Sequence, residues 1–244
     1  MTNTDYIYGI HAVIEALKSN RELEKVFIQS GLKSERFVEL KKLLYEKGIV
    51  PHIVPAEKLN RLVPGKHQGI VAFISPVRYQ DIELLVPYIY EQGEQPLLLV
   101  SDRITDVRNF GAIARTAYCA GVHGLIFPEK GSAMLNADAM KASAGALNNI
   151  PVCRSVNLKK TLIFLKNSGI KLVGCTEKAS LEYTNIDYNI PCAIIVGSEK
   201  DGISSDILKL ADELVKIPMK GNISSLNVSV AAAIVLYETV KQRN

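Results

Sequence analysis

Two segments near the carboxyl end decide the fold: Ala193 to Ser204, A-I-I-V-G-S-E-K-D-G-I-S, and Ile217 to Glu238, I-P-M-K-G-N-I-S-S-L-N-V-S-V-A-A-A-I-V-L-Y-E. Ala193 to Val196 is an apolar run of strand length. It breaks at Gly197 into a polar loop carrying Glu199 and Gly202. Leu214 to Ile217 reads as another strand, which Pro218 cannot extend inside a central sheet. A loop with Gly221 follows, and Ser224 or Ser225 is placed to cap a helix starting near Leu226. Leu226, Val228, Val230, Ala231 to Ala233, Ile234, Val235 and Leu236 make that helix apolar almost all round, which predicts burial on most sides. Two loops rich in Gly and Ser at strand ends predict a pocket walled largely by main-chain N–H and C=O groups.

Working outward, strands are expected at Leu97–Val100, Leu125–Phe127 and Lys171–Cys175, and helices at Asn109–Ala120, Ala137–Leu147, Leu158–Lys166 and Ser204–Ala211. Strands that are near-continuous apolar runs, alternating with helices, predict an α/β fold with a parallel sheet covered on both faces. Ligands in such sheets sit beyond the carboxyl ends of the strands, where both loops fall. No G-x-G-x-x-G follows the first strand, so a dinucleotide site is unsupported. Residues 1–75 read as a small α/β unit, with helices at His11–Lys18 and Glu35–Glu46 and strands at Lys25–Gln29, Ile49–Val54 and Ile70–Ile74. Ser75 to Gln95 reads as a linker: it has prolines at 76 and 87 with Pro96 at its edge, an acidic excess, and a weakly helical middle from Asp81 to Tyr90. The expected division is 1–75, linker 76–95, and 96–244.

With 244 residues, of which 48% are hydrophobic, the chain can bury real cores. Its net charge of +4 allows a nucleic-acid partner without demonstrating one. The apolar patch Ile7 to Leu17 is interrupted by Gly9, His11 and Glu15, and no uninterrupted run reaches membrane length, which places the protein in the cytosol. Cys119, Cys153, Cys175 and Cys192 form no C-x-x-C pair and gather no histidines, so no metal site or disulfide is expected and reduced core thiols are. His11 and His67 are more readily turn or core histidines than ligand contacts.

Asp102 to Ala120 reads D-R-I-T-D-V-R-N-F-G-A-I-A-R-T-A-Y-C-A. Asn109 suits a helix cap, and Gly111, Ala112, Ala114 and Ala117 permit close packing. Arg115 is almost alone as a charge on this helix. A half-buried arginine needs partners, and its guanidinium could reach back toward Asn109 or pair with a structural carboxylate.

Three segments in this order, N-x-G-x-x-x-R at Asn109 to Arg115, Gly197-Ser198-Glu199 with Gly202, and Ile217-Pro218-Met219 through Ser225-Leu226-Asn227-Val228-Ser229-Val230, resemble the motifs of the SpoU family. Val107 departs from the proline that many members carry. The resemblance implies an S-adenosylmethionine-dependent ribose 2′-O-methyltransferase of RNA, within the SPOUT superfamily, with a trefoil knot at the carboxyl end. It implies that Gly197, Ile217 and Leu226 touch the cofactor, and that Arg115 holds the RNA phosphate and the 2′-oxygen. Asn109, Glu199, Ser225 and Asn227 would then orient Arg115 and the ribose. Tyr8-Gly9-Ile10-His11-Ala12-Val13 and His67-Gln68-Gly69 resemble an L30e-like, RNA-binding substrate domain attached to some of these enzymes. K-A-S-A-G-A-L at Lys141 to Leu147 is similar to the family and suggests tight packing beside the site. Members are homodimers, each site drawing on both subunits. The full-length match and the ending Y-E-T-V-K-Q-R are most like the large-subunit (23S) rRNA guanosine enzyme. A tRNA-directed enzyme, or an RNA-binding protein that kept the fold without turnover, are the alternatives.

Overall fold

The computed structural model describes residues 6–63 and 65–244. The chain forms two compact units, one running to Arg78 and including Leu135–Ala137, the other comprising Tyr79–Met134 and Asp138–Asn244. The first contains β1 (Tyr6–Tyr8), α1 (Ile10–Lys18), β2 (Leu23–Gln29), α2 (Glu35–Glu46), β3 (His52–Val54), α3 (Ala56–Leu62) and β4 (Ile70–Ile74). Its sheet has the order β1-β4-β2-β3, antiparallel except for the β2–β3 pair. The helices α1 and α2 bury Val13, Leu17, Leu40 and Leu44 against Val26, Ile28 and Ile70. Leu59 of α3 packs with Val54, Val63 and Val71 in a smaller cluster. Residues as apolar as these stabilise by about 1.5–3 kcal/mol each when fully buried.

The second unit contains α4 (Ile82–Glu91), β5 (Leu97–Asp102), α5 (Val107–Cys119), β6 (Gly124–Pro128), α6 (Ala137–Ala142), β7 (Val152–Ser155), α7 (Leu158–Asn167), β8 (Lys171–Cys175), β9 (Leu181–Glu182), β10 (Cys192–Gly197), α8 (Ser205–Leu208), β11 (Glu213–Lys216) and α9 (Val228–Arg243). Its strands form a seven-stranded sheet ordered β7-β6-β5-β10-β8-β11-β9, with every pairing parallel. Every residue of β5 and β10 is buried, as a doubly covered sheet requires.

Several elements differ from the sequence reading, each for a local reason. The stretch read as a linker holds α4, whose Ile82, Leu85, Val86 and Ile89 are packed into the core of the second unit. Their i, i+3, i+4, i+7 spacing is the helical stripe; the acidic residues that made the stretch look like a connector lie on its outer side. Just before it, Tyr79 pairs with Val152 at the sheet edge, and Gln80 N–H donates to the Val152 carbonyl at 2.8 Å. The helix expected at Ala137–Leu147 stops at Ala142, because Ala144 and Gly145 turn left-handed with φ of 49° and 85°. Its small residues do pack closely: a Cβ on Gly111 of α5 would strike Ala142 and the main chain of Ala139 and Ser143. The helix expected from Leu226 begins at Val228. It is not buried on most sides: Val230 and Tyr237 are exposed by 46% and 52%. Cys153 and Cys192 are buried, as core thiols should be, but Cys119 is exposed.

Arg243 fastens the end of α9 to the starts of the central strands. Its guanidinium donates to the carbonyls of Gln95 (2.8 Å), Pro96 (3.2 Å), Tyr188 (3.0 Å) and Ile190 (2.6 Å). Hydrogen bonds from a charged donor are worth more than neutral ones. Arg243→Ala is therefore expected to destabilise the second unit by about 2–3 kcal/mol, read from the midpoint of urea unfolding. Arg243→Lys should recover only part of this, since an ammonium cannot fork to several carbonyls. An unchanged midpoint would make these bonds energetically idle.

Candidate active site

β5 and β10 are neighbours at the centre of the sheet. The chain leaves β5 for β6 and β7 on one side, while β8, β11 and β9 lie on the other. Such a reversal opens a crevice at the carboxyl ends of the two strands. The loop after β5 leads into α5, and the loop after β10 is the Gly197–Gly202 segment.

Asp106, rather than Asn109, caps α5, its side chain accepting from Asn109 N–H at 2.8 Å. Val107 takes the first helical position, where proline is equally at home. Asn109 thus lies in the first turn with its carboxamide free to reach outward. Its Nδ2 donates to Glu199 Oε1 at 2.7 Å. Asn227 Nδ2 donates to the same oxygen at 2.8 Å and to Asn109 Oδ1 at 3.1 Å. Asn227 is also the cap of α9: its Oδ1 accepts from Ser229 N–H (2.9 Å) and Ser229 Oγ (2.6 Å). One residue from each of the three motif segments therefore meets in a single hydrogen-bonded cluster. Glu199 Oε1 is doubly engaged, and Oε2 accepts from no group among the described residues.

Beside the cluster is a cavity of about 530 Å³ whose wall includes Gly197, Glu199, Ile217, Ser225 and Leu226. Ser224 and Ser225, read from sequence as candidate caps, lie on this wall instead, because the helix begins two residues later than expected, at Val228, with Asn227 as its cap. The main chain from Met219 to Leu226 makes no hydrogen bond with other main-chain groups among the described residues. Those N–H and C=O groups are open to a ligand. Residues missed by sequence reasoning, Thr176, Glu177 and Lys178, enter from the loop after β8. Only the sheet order makes that loop adjacent. Cys175 also lines the cavity; burial, with a smaller contribution from Glu177, pushes its thiol up to about 11. It is a neutral thiol near pH 7, not a nucleophile.

The loop after β10 is shaped by two glycines in different ways. A Cβ at Gly197 would overlap the main chain of Gly202 and Ile203, whereas Gly202 has open space but a left-handed φ of +67°. Ser198 and Gly202 exchange main-chain hydrogen bonds at 3.1 and 2.9 Å, closing the turn. Beneath it, buried Asp102 accepts from Ser204 N–H at 2.7 Å, and Arg103 donates to the Gly202 carbonyl at 3.2 Å. Asp102 and Arg103 were not singled out as site residues. Their signal is a charged pair ending an otherwise apolar strand.

Arg115 is not part of the cluster. It is exposed and makes no hydrogen bond or ion pair among the described residues. The inner face of α5 is taken by Phe110, Gly111, Ile113, Ala114 and Ala117. Six residues along a helix turn the side chain roughly 120° away from that of Asn109. The half-buried arginine reaching toward Asn109 is thus replaced by an outward one. No group of three or more His, Cys, Asp or Glu is placed to hold a metal ion among the described residues.

A profile described as the SpoU rRNA Methylase family matches residues 96–237, and one described as RNA 2′-O ribose methyltransferase substrate binding matches residues 6–80. A Bacillus subtilis protein assigned to the TrmH family of tRNA/rRNA methyltransferases, YacO, is 38% identical over 240 residues, covering 98% of this chain and 96% of that one. A Staphylococcus saprophyticus protein of the same assignment is 37% identical, with the same coverage of both chains. The SpoU methyltransferase AviRb of Streptomyces viridochromogenes, solved with the cofactor AdoMet, superposes with a TM-score of 0.63 at 25% identity, over 98% of this chain and 90% of that one. The A. aeolicus TrmH/SpoU tRNA modifying enzyme superposes with a TM-score of 0.57 at 32% identity, over 66% of this chain and 83% of that one. With its three motif segments joined at the carboxyl edge of a parallel sheet, and both profiles matched in order, the chain belongs to the SpoU family of S-adenosylmethionine-dependent RNA ribose 2′-O-methyltransferases.

Proposed function

We propose that the chain methylates the 2′-hydroxyl of a guanosine in large-subunit rRNA, in the cytosol, as a homodimer whose carboxyl-terminal segment is knotted. The observation that carries the reading of the site is the Asn109–Glu199–Asn227 cluster at the mouth of the cavity. The cavity suits the cofactor: its volume is within the roughly 300–1,000 Å³ of ligand pockets. Its wall offers unpaired main-chain groups and charges of both signs (Glu177, Glu199, Asp201, Lys178, Lys200), suited to a zwitterion that carries a sulfonium. Gly197, Ile217 and Leu226 would hold that ligand. When bound, it supplies an electrophilic methyl carbon.

The protein's part is then alignment, exclusion of water and handling of one proton. Positioning alone can supply about 7–11 kcal/mol of barrier lowering. Asn109 and Asn227 fix the carboxylate of Glu199 through Oε1, leaving Oε2 to accept the hydroxyl proton directly or through a phosphate oxygen. Ser225 stands on the same wall to orient the ribose. Arg115, a permanent cation, stabilises the developing alkoxide electrostatically. In the dimer it would come from the second copy, a reading supported by its exposure and by its placement away from Asn109 on its own helix. The helices α5 and α9 pack together and also expose Tyr118 by 49%, Val230 by 46% and Tyr237 by 52%, apolar side chains suited to burial against another subunit.

A tRNA substrate is the second reading, favoured by the 32% identity with the A. aeolicus enzyme. Calorimetry with S-adenosylmethionine, combined with mapping of ribose methylation in RNA from cells lacking the gene, tests both. Binding heat and one lost 2′-O-methylguanosine in large-subunit rRNA are expected. A loss confined to tRNA establishes the second reading, and absence of binding heat overturns both.

A further inference from the structure

The first unit carries a cavity of about 460 Å³ bounded by Ile10, His11, Leu32, Lys33, Arg36 and Gln68. These residues come from the start of α1, the approach to α2 and the turn before β4. His67 builds that turn: it is buried, its Nε2 lies 2.8 Å from Asn60 Oδ1, and its Nδ1 accepts from Gly69 N–H at 3.0 Å. The turn holds Gln68 at φ +52°, a conformation unfavourable for a residue with a side chain. Its carboxamide lies against Gly9, with Oε1 3.2 Å from where a Cβ on Gly9 would stand. That carboxamide and the Lys33 ammonium have no hydrogen-bond or ion-pair partner among the described residues. Arg36 donates one N–H to His11 Nδ1 at 3.1 Å and keeps its other donors free. Glu39, the carboxylate that faces Arg36 and His11, is engaged by Lys18 at 2.8 Å. The cleft therefore combines an apolar floor (Ile10, Leu32), an unpaired carboxamide and two available cations.

We propose that this cleft seats one unstacked nucleotide of the RNA substrate, separate from the methylated one. Its base lies on Ile10 and Leu32, its edge is hydrogen-bonded by the Gln68 carboxamide, and its phosphate is held by Arg36 and Lys33. Splayed-out bases are the usual means of sequence-specific RNA recognition; a carboxamide can pair with a base edge in two places at once, and basic side chains fix the backbone. The proposal rests on the methyltransferase reading and deepens it, since this unit matches a family described as substrate binding.

The test uses the full chain, tritiated S-adenosylmethionine, and deproteinised rRNA and tRNA from cells lacking the gene. Gln68→Ala is expected to raise KM for RNA about fivefold, and Lys33→Ala with Arg36→Ala at least tenfold, with kcat and cofactor affinity within twofold of wild type. The double variant should also flatten the dependence of log KM on log salt by roughly one, because the one phosphate that is no longer neutralised takes about that much from the slope. Gln68→Gly relieves the left-handed backbone, so its melting temperature should equal or exceed that of wild type while KM rises as in Gln68→Ala. A merely structural glutamine would not separate the two readouts. Wild-type KM in all three variants overturns the proposal while leaving the methyltransferase reading intact; no transfer by the wild-type chain overturns both.

Discussion

Arg115→Ala is expected to lower kcat for methyl transfer by a factor of about 10³, the upper end of what one preorganised donor to a developing oxyanion supplies. Cofactor affinity and folding stability should hardly move, because Arg115 neither lines the cavity nor makes a hydrogen bond among the described residues. Single-turnover transfer and calorimetry on the same preparations separate the two effects. Arg115→Lys should restore little, since an ammonium keeps the charge but loses the fork that can hold phosphate and 2′-oxygen together. Placement of Arg115 on an outward face adds a sharper expectation. Mixed dimers of Arg115→Ala with Asn227→Ala chains should regain part of the activity that each variant lacks, because one site of the mixed dimer then has both groups intact. A mixture as inactive as its components would mean that Arg115 serves the site of its own chain, or none.

The sequence made the two ends of this chemistry legible to different degrees. Strands such as Ala193–Val196 could be read because an apolar run bounded by Gly197 has few other uses. A common site for Asn109, Glu199 and Asn227 was implied by the resemblance of their segments to the family's motifs, and these three side chains are hydrogen-bonded to one another. Helix starts were read less well. Asp106 and Asn227 displaced Asn109 and the serines as caps, since several residues in each stretch had a suitable side chain and only the path of the chain chooses among them. The role of α4 was obscured by its acidic outer side, although its buried stripe had helical spacing. Thr176, Glu177 and Lys178 were invisible as wall residues for another reason. Which strand lies next to β10 is a property of the sheet, and no local pattern records it. The outward direction of Arg115 was likewise hidden, because a lone charge on a small-residue helix suits a buried partner as well as a subunit surface.

Gly197→Ala should abolish measurable S-adenosylmethionine binding, with an affinity loss of at least about 100-fold, and should lower stability by roughly 1–3 kcal/mol, the usual cost of forcing a methyl group into a packed site. The group in its way is main chain, the Gly202–Ile203 peptide, so no rotamer change relieves the clash. Moving that peptide means breaking the Ser198–Gly202 hydrogen bonds and the Arg103 hydrogen bond that hold the turn. The wall carrying Glu199 would then shift with it, away from Asn109 and Asn227. Gly202→Ala provides the contrast. It meets nothing within 4 Å, and its penalty is only the left-handed φ of +67°, about 1 kcal/mol by comparison with other left-handed sites. It should therefore bind the cofactor within about tenfold of wild type, by calorimetry at matched folding. Near-normal binding by Gly197→Ala would show that the turn adapts, and that the pocket is not set by the close approach of its own backbone. Equal losses in both variants would assign the effect to backbone conformation, leaving the clash at Gly197 without consequence.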